Sequence, residues 1–201
     1  MLLSPELIEQ QLVIIPNTRK TFVFDLDGTI VYDGKPLEAR FERVLLDIEA
    51  AGHEIIIASG RSWRDFVPIM PAWCSEQPSV VFGGGLVMVD GSPQSQHFLP
   101  NNYLVEMIDF LERHKINYLL DGHGSYYHPN IEHWLFTDIV RISGQKKVKQ
   151  VDNLLVDGGY KILILDDKWL AHFEEYIKTR ELIIKYHFYD LSSILLLSNY
   201  C

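Results

Sequence analysis

The chain has 201 residues, 47% of them hydrophobic, and a formal net charge of −9 at pH 7. That is enough apolar material for a sizeable core in one or two domains, and the acidic balance argues against nucleic acid or an anionic membrane as partner. No run of about eighteen apolar residues indicates a membrane span, and Cys74 and Cys201 offer no disulfide framework and suit a reducing cytoplasm.

Met1 to Ile15 lacks a positively charged lead and a small-residue cleavage site, so no signal peptide is expected. Ser4-Pro5-Glu6 ahead of Leu7, Ile8, Leu12 and Val13 reads as a short capped helix. Next comes Phe22-Val23-Phe24-Asp25-Leu26-Asp27-Gly28-Thr29-Ile30. Apolar, strand-prone residues run into carboxylates at i and i+2, then a Gly-Thr turn. Side chains two apart on a strand point the same way. Asp25 and Asp27 therefore converge at the C-terminal end of a buried strand, where open α/β sheets place their ligand crevice. Close carboxylates repel unless a cation neutralises them, and Mg2+ takes such oxygens together with water and phosphate. An isolated Asp-x-Asp is more simply a turn; the full string and a second motif favour a site.

Pro36 to Ala51 places Leu37, Phe41, Val44, Leu45 and Ile48 at helical spacing, with Gly52 as a stop. A second buried strand, Glu54 to Ala58, runs into Ser59-Gly60-Arg61. Strand, helix, strand predicts parallel neighbours with both C-terminal ends on one edge. Ser59 then stands beside the aspartates, where its hydroxyl and nearby N–H groups can hold a phosphate oxygen, helped by a helix starting near Ser62.

Ser79 to Phe82 reads as a third strand, and Gly83-Gly84-Gly85 as a hinge or close-approach loop. Leu86–Val89, the turn Asp90-Gly91 and Gln96–Leu99 read as a hairpin, and Asn101 to His114 as a helix. Strands are expected at Asn117–Leu120, Ser125–His128, Lys161–Leu165 and Ile194–Leu197, with a helix over Lys168–Arg180. Tyr186, Phe188 and Tyr189 read as core of this second unit, and Lys146, Lys147 and Lys149 as a solvated face. Asp121, His123, His128 and His133 form a rival metal cluster, but their spacing is not that of a zinc site.

Phe24 to Ile30 resembles the first motif of the haloacid dehalogenase superfamily of phosphotransferases, and Ala58-Ser59-Gly60-Arg61 resembles its second motif in the Cof-type form. The resemblance implies Asp25 as nucleophile, forming an aspartyl-phosphate, and Asp27 as acid and base. It implies a Mg2+ site from Asp25 and the Asp27 carbonyl. It also implies phosphate or substrate binding by Thr29, Ser59, Gly60 and Arg61. The implied fold is α/β: a truncated Rossmann-like parallel-sheet core with an inserted α+β cap domain. The core occupies 1–82, the cap 83–198, and 199–201 begin a return to the core that is cut short. The implied function is Mg2+-dependent hydrolysis of a small phosphorylated metabolite. The apolar strand Thr21 to Asp25, left at an edge of this core, is a pairing hazard, so a homodimer through that edge, protection by the N-terminal segment or poor solubility is expected. The alternative is an impaired fragment or a non-catalytic binding protein of the same fold. The superfamily also uses a Lys and a Gly-Asp-x-x-x-Asp segment after the cap. No Gly-Asp-x-x-x-Asp occurs in the sequence, and Lys161, Lys168 and Asp166-Asp167 fall at cap positions, so none is assigned those roles.

Overall fold

A computed structural model describes residues 18–129, 132–144, 146–148, 150–165, 169, 171, 172, 175, 179, 184–189 and 194–199. The expected N-terminal helix and most of the expected helix over 168–180 lie outside these residues.

The first sheet has strand order β1-β2-β3-β4-β5. Strand β1 (Thr21–Asp25) leads through helix α1 (Ala39–Ala50) to β2 (Glu54–Ala58), and the two strands pair in parallel from Thr21↔Glu54 to Asp25↔Ala58. Helix α1 turns Phe41, Leu45 and Ile48 toward the core, while Val44 is exposed, contrary to the expected pattern. It starts at Ala39, later than expected, and ends in a Schellman arrangement. Gly52 N–H donates to Glu49 O, His53 N–H donates to Ile48 O, and Gly52 takes φ +81.

A one-turn helix α2 (Trp63–Phe66) follows β2, and β3 (Ser79–Val81) then pairs in parallel with β2. The sheet next reverses direction. Strands β4 (Leu86–Val89) and β5 (Ser92–Gln96) run antiparallel and extend the sheet beyond β3.

This corrects the expected layout. Gly83 to Gly85 do not act as a hinge into a second domain. Phe82 N–H donates to Arg61 O and Gly83 N–H to Ser59 O, so the turn is fastened to the loop after β2. Gly83 and Gly84 take φ +63 and +108 and fold the chain back alongside β3. Leu86 and Met88 then join the core with Ile57 and Val81. The hairpin turns at Asp90-Gly91, where both φ values are positive as a two-residue turn of this kind demands.

Helix α3 (Asn101–Arg113), strands β6 (Tyr118–Asp121) and β7 (Tyr126–Tyr127), helices α4 (Trp134–Ser143) and α5 (Asp152–Asp157), and strands β8 (Lys161–Ile164), β9 (Ile184–Tyr189) and β10 (Ile194–Asn199) build the second unit. Its sheet is antiparallel, in the order β7-β6-β8-β10-β9. Period-two alternation divides its faces. Leu120, Ile162 and Ile164 meet Leu104, Met107, Ile108 and Leu111 of α3. Each fully buried side chain of this kind stabilises by about 1.5–3 kcal/mol. Leu119, Asp121, Lys161 and Leu163 alternate onto the opposite face, where α4 packs through Phe136 and Ile139. The architecture is thus the expected Rossmann-like α/β sheet, followed by an α+β layer.

Candidate active site

The register places the site. Asp25 pairs with Ala58, so β1 and β2 end level, and Ser59-Gly60-Arg61 leaves β2 beside the aspartates. After Asp25 the chain makes a tight turn in which the N–H groups of Thr29, Ile30 and Val31 all converge on Leu26 O. Leu26 is fully buried and anchors the turn in the core. Gly28 has φ +80 with open space where a Cβ would stand, so backbone conformation, not crowding, calls for glycine there.

A cavity of about 740 Å3 lies over these strand ends, between the two layers. Asp25, Asp27, Gly60 and Arg61 line it, so four of the six expected site residues meet in one space. Thr29 and Ser59 stand behind them. The Thr29 hydroxyl donates to Asp25 Oδ2 at 3.2 Å. The buried Ser59 accepts the Arg61 N–H on Oγ at 3.1 Å, which leaves its own hydroxyl proton to donate. The helix expected near Ser62 is a single turn. Ser62 Oγ already accepts the Asp65 N–H, and its hydroxyl donates to the Asp65 carboxyl.

Arg61 is more engaged than the sequence suggests. Its Nε donates to Asp27 Oδ2 at 2.8 Å and a terminal nitrogen to Oδ1 at 2.6 Å. Those hydrogen bonds hold the guanidinium above its ordinary pKa despite partial burial. Such a two-pronged contact is stronger and more directional than a single ion pair.

The second layer supplies residues that no local motif announces. Asp121, 1% exposed at the end of β6, sits between two cations. Arg64 of α2 donates to its Oδ1 at 2.8 Å, and Lys161 of β8 lies 3.2 Å from its Oδ2. Lys161 also donates to Gly60 O at 2.9 Å, tying β8 to the loop after β2. Arg64 further holds both oxygens of Asp65 and donates to Ser125 O, with its guanidinium 4.6 Å from the centre of the Tyr126 ring. Burial opposes the charge on Arg64, but Asp121 and Asp65 outweigh it and raise its pKa. Burial likewise pushes the Asp65 carboxyl up, yet bonds and charge from Arg64, with the Ser62 hydroxyl, bring it below its usual value. Buried charges persist only when paired in this way, and an Asp ending the apolar run Tyr118-Leu119-Leu120 was the available sequence signal.

The rival histidines are used elsewhere. His128 stacks on Phe136 at 3.6 Å between ring centres, and His133 Nδ1 caps α4 by accepting the Leu135 N–H. Among the described residues, no group of three or more His, Cys, Asp or Glu is placed to hold a metal ion. For Mg2+ the chain offers the Asp25 carboxyl and the Asp27 main-chain carbonyl. These are hard oxygens suited to an ion that keeps several waters. The Asp27 side chain is engaged by Arg61.

Parallel strands delivering two carboxylates and a hydroxyl-bearing loop to one cavity define an α/β protein with carboxylate chemistry. The chain belongs to the haloacid dehalogenase-like hydrolases, whose family pattern matches residues 22–192. Its fold is similar to that of the Thermotoga maritima protein TM0651, with TM-score 0.70 and 18% identity over 92% of this chain and 70% of that one. A haloacid dehalogenase-like hydrolase from Bacteroides thetaiotaomicron gives TM-score 0.74 and 20% identity, covering 90% of this chain and 71% of that one. A sugar phosphatase of superfamily subclass IIB gives TM-score 0.66 and 13% identity, covering 90% and 70%. No curated protein matches the sequence. Among the described residues, no helix is long and apolar enough to cross a membrane.

Proposed function

We propose that this hydrolase is a Mg2+-dependent phosphatase of a small phosphorylated metabolite, working through an aspartyl-phosphate on Asp25. The observation that carries this reading is the meeting of Asp25, Asp27, Gly60 and Arg61 in one cavity at the ends of β1 and β2. Thr29 is bonded to Asp25 Oδ2, so Oδ1 is the attacking oxygen. It forms a bond to phosphorus as the ester P–O bond breaks, and the departing oxygen takes a proton from the Asp27 carboxyl. Water then attacks the aspartyl-phosphate, Asp27 accepts its proton, and phosphate leaves with Asp25 regenerated. The Ser59 hydroxyl and the Gly60 N–H hold the phosphoryl oxygens, and Arg61 moves from Asp27 onto the phosphate. Bound at Asp25 and the Asp27 carbonyl, Mg2+ would offset the repulsion between nucleophile and phosphate.

The second layer serves as the cap that excludes water from the cavity. The cytoplasm suits its free, buried Cys74. Among the described residues β1 ends the first sheet, which supports pairing of two copies along that edge. A second reading, a binding protein of the same fold without catalysis, is favoured by one observation: Arg61 already occupies both oxygens of Asp27.

The deciding experiment is phosphate release from p-nitrophenyl phosphate by the purified chain and by Asp25→Asn. Activity lost in the variant supports the nucleophile, because an amide forms no aspartyl-phosphate. Equal activity in both refutes it.

A further inference from the structure

The wall that the second unit gives the cavity carries the charged pairs Asp121–Lys161 and Asp138–Arg141, and beside them a set of apolar side chains. Strand alternation puts Leu119 and Leu163 on the inward face of the second sheet, and α4 adds Trp134, Leu135 and Ile142. Trp134 is 55% exposed, a large aromatic surface left open on the cavity's border. Charge at the cavity follows a second rule: each cation lining it is already matched. Arg61 is paired with Asp27, Arg141 with Asp138 and Lys161 with Asp121. Asp33 and Asp65 line it as well, so carboxylates outnumber cations. With Arg61 taken by the first phosphate, a second phosphate or carboxylate on the substrate would meet the repulsion of this excess of carboxylates. Leu, Ile and Trp side chains offer a sugar's hydroxyls no hydrogen bonds, and Asp27, Asp33, Asp65, Asp121 and Asp138 at the cavity already serve cations.

We propose that the ester taken here carries one phosphoryl group on an apolar, ring-sized organic body. The body rests against Trp134 and the neighbouring Leu135, Ile142 and Leu163 side chains while the phosphate reaches Asp25. This rests on the phosphatase reading for its turnover and on the cavity wall alone for its binding preference. About 740 Å3 is room for such a body with its phosphate.

The test compares primary-alcohol esters of similar leaving ability: benzyl phosphate and hexyl phosphate against glucose 6-phosphate and fructose 1,6-bisphosphate. The expected result is a kcat/KM at least tenfold higher for benzyl phosphate than for either sugar ester, carried mainly by KM. Trp134→Ala, at an exposed position that folding does not depend on, should raise the KM for benzyl phosphate about threefold or more with little change in kcat. Equal or better use of glucose 6-phosphate, or an unchanged KM in Trp134→Ala, overturns the proposal and leaves the phosphatase reading standing. Binding is read separately, by calorimetry with benzylphosphonate and methylphosphonate in millimolar Mg2+. Benzylphosphonate binding at least tenfold tighter supports the proposal even if no ester is turned over, an outcome that would count against hydrolysis alone. Equal affinity for the two phosphonates overturns it.

Discussion

Arg61 grips Asp27 through two nitrogens, at 2.8 and 2.6 Å, so the side chain proposed for the substrate's phosphate holds the carboxyl proposed for the leaving group. On the proposed mechanism the two jobs are coupled. Arg61 must swing onto the phosphate before Asp27 can meet the departing oxygen, so substrate binding itself would release the acid.

That coupling predicts a separation of steps in Asp27→Asn. p-Nitrophenolate leaves without help from a proton, so the first step should survive, whereas water attack on the aspartyl-phosphate lacks its base. Stopped-flow absorbance should show a burst approaching one equivalent of p-nitrophenol, then near-arrest. Asp25→Asn should show no burst at all. Steady turnover by Asp27→Asn would assign the base elsewhere.

Arg61 variants should divide charge from geometry. Lysine keeps the charge but loses the planar fork, so Arg61→Lys should retain part of the activity. Arg61→Ala should lower kcat/KM toward p-nitrophenyl phosphate by about 10²–10³, the usual loss for one well-placed donor at a developing charge. An alanine variant as active as the parent would remove Arg61 from the phosphate site.

The contrast between what could and could not be read in the sequence follows the range of the interactions. Asp25, Asp27 and Arg61 sit in short contiguous strings, and period-two geometry at a strand end suffices to bring them together. Asp121, Arg64 and Lys161 are joined across 57 and 101 positions, in the Arg64–Asp121 and Lys161–Gly60 bonds, and no local pattern encodes such pairings. The glycines at 83–85 marked a hinge or close-approach loop, and the structure makes them a close approach fastened to the loop after β2. Glycine reports freedom of φ, however, not which sheet the next strand joins, and buried Leu86 and Met88 settled that in favour of the first. Strand β5 was expected at 96–99 but pairs over Ser92–Gln96, where Pro93 and serines weaken the strand signal. Helix α4 was missed because Thr137, Ile139, Val140 and Ile142 are poor helix formers and its N-cap is a histidine.

The interlayer charges should matter to stability in a graded way. Arg64 serves Asp65, Asp121 and Ser125 O from a fully buried position, so Arg64→Met leaves the buried Asp121 and the partly buried Asp65 short of a partner. Chemical denaturation should show a loss of about 3–5 kcal/mol. Lys161→Met leaves Asp121 still bonded to Arg64 and should cost about 1–3 kcal/mol. The reverse order would mean that Lys161, not Arg64, holds the two layers together.

Acid should weaken the same network. The folded pKa of Asp65 lies below its unfolded value, with burial raising it and Arg64 bringing it down further than burial lifts it. Its stabilising contribution is therefore complete above the unfolded value, near pH 4, and is lost as pH falls through the folded one. Denaturation midpoints taken at descending pH below about 4 should fall less steeply for Asp65→Asn than for the parent. Parallel curves would show that Asp65 does not contribute.

Mg2+ should be needed for turnover yet add little to folding stability. On the proposed reading the described residues give the ion one carboxyl, from Asp25, and one main-chain carbonyl, from Asp27, while Arg61 occupies the Asp27 side chain. So few protein donors imply a dissociation constant in the millimolar range, with water and substrate phosphate completing the shell. A ligand present at its dissociation constant stabilises by RT ln 2, about 0.4 kcal/mol. For a chain of this size that moves Tm by only about 1–2 °C. Differential scanning fluorimetry in about 1 mM Mg2+ and in excess chelator should differ by no more than this, while chelation stops phosphate release. A shift beyond about 5 °C would show that further residues of the chain bind the ion.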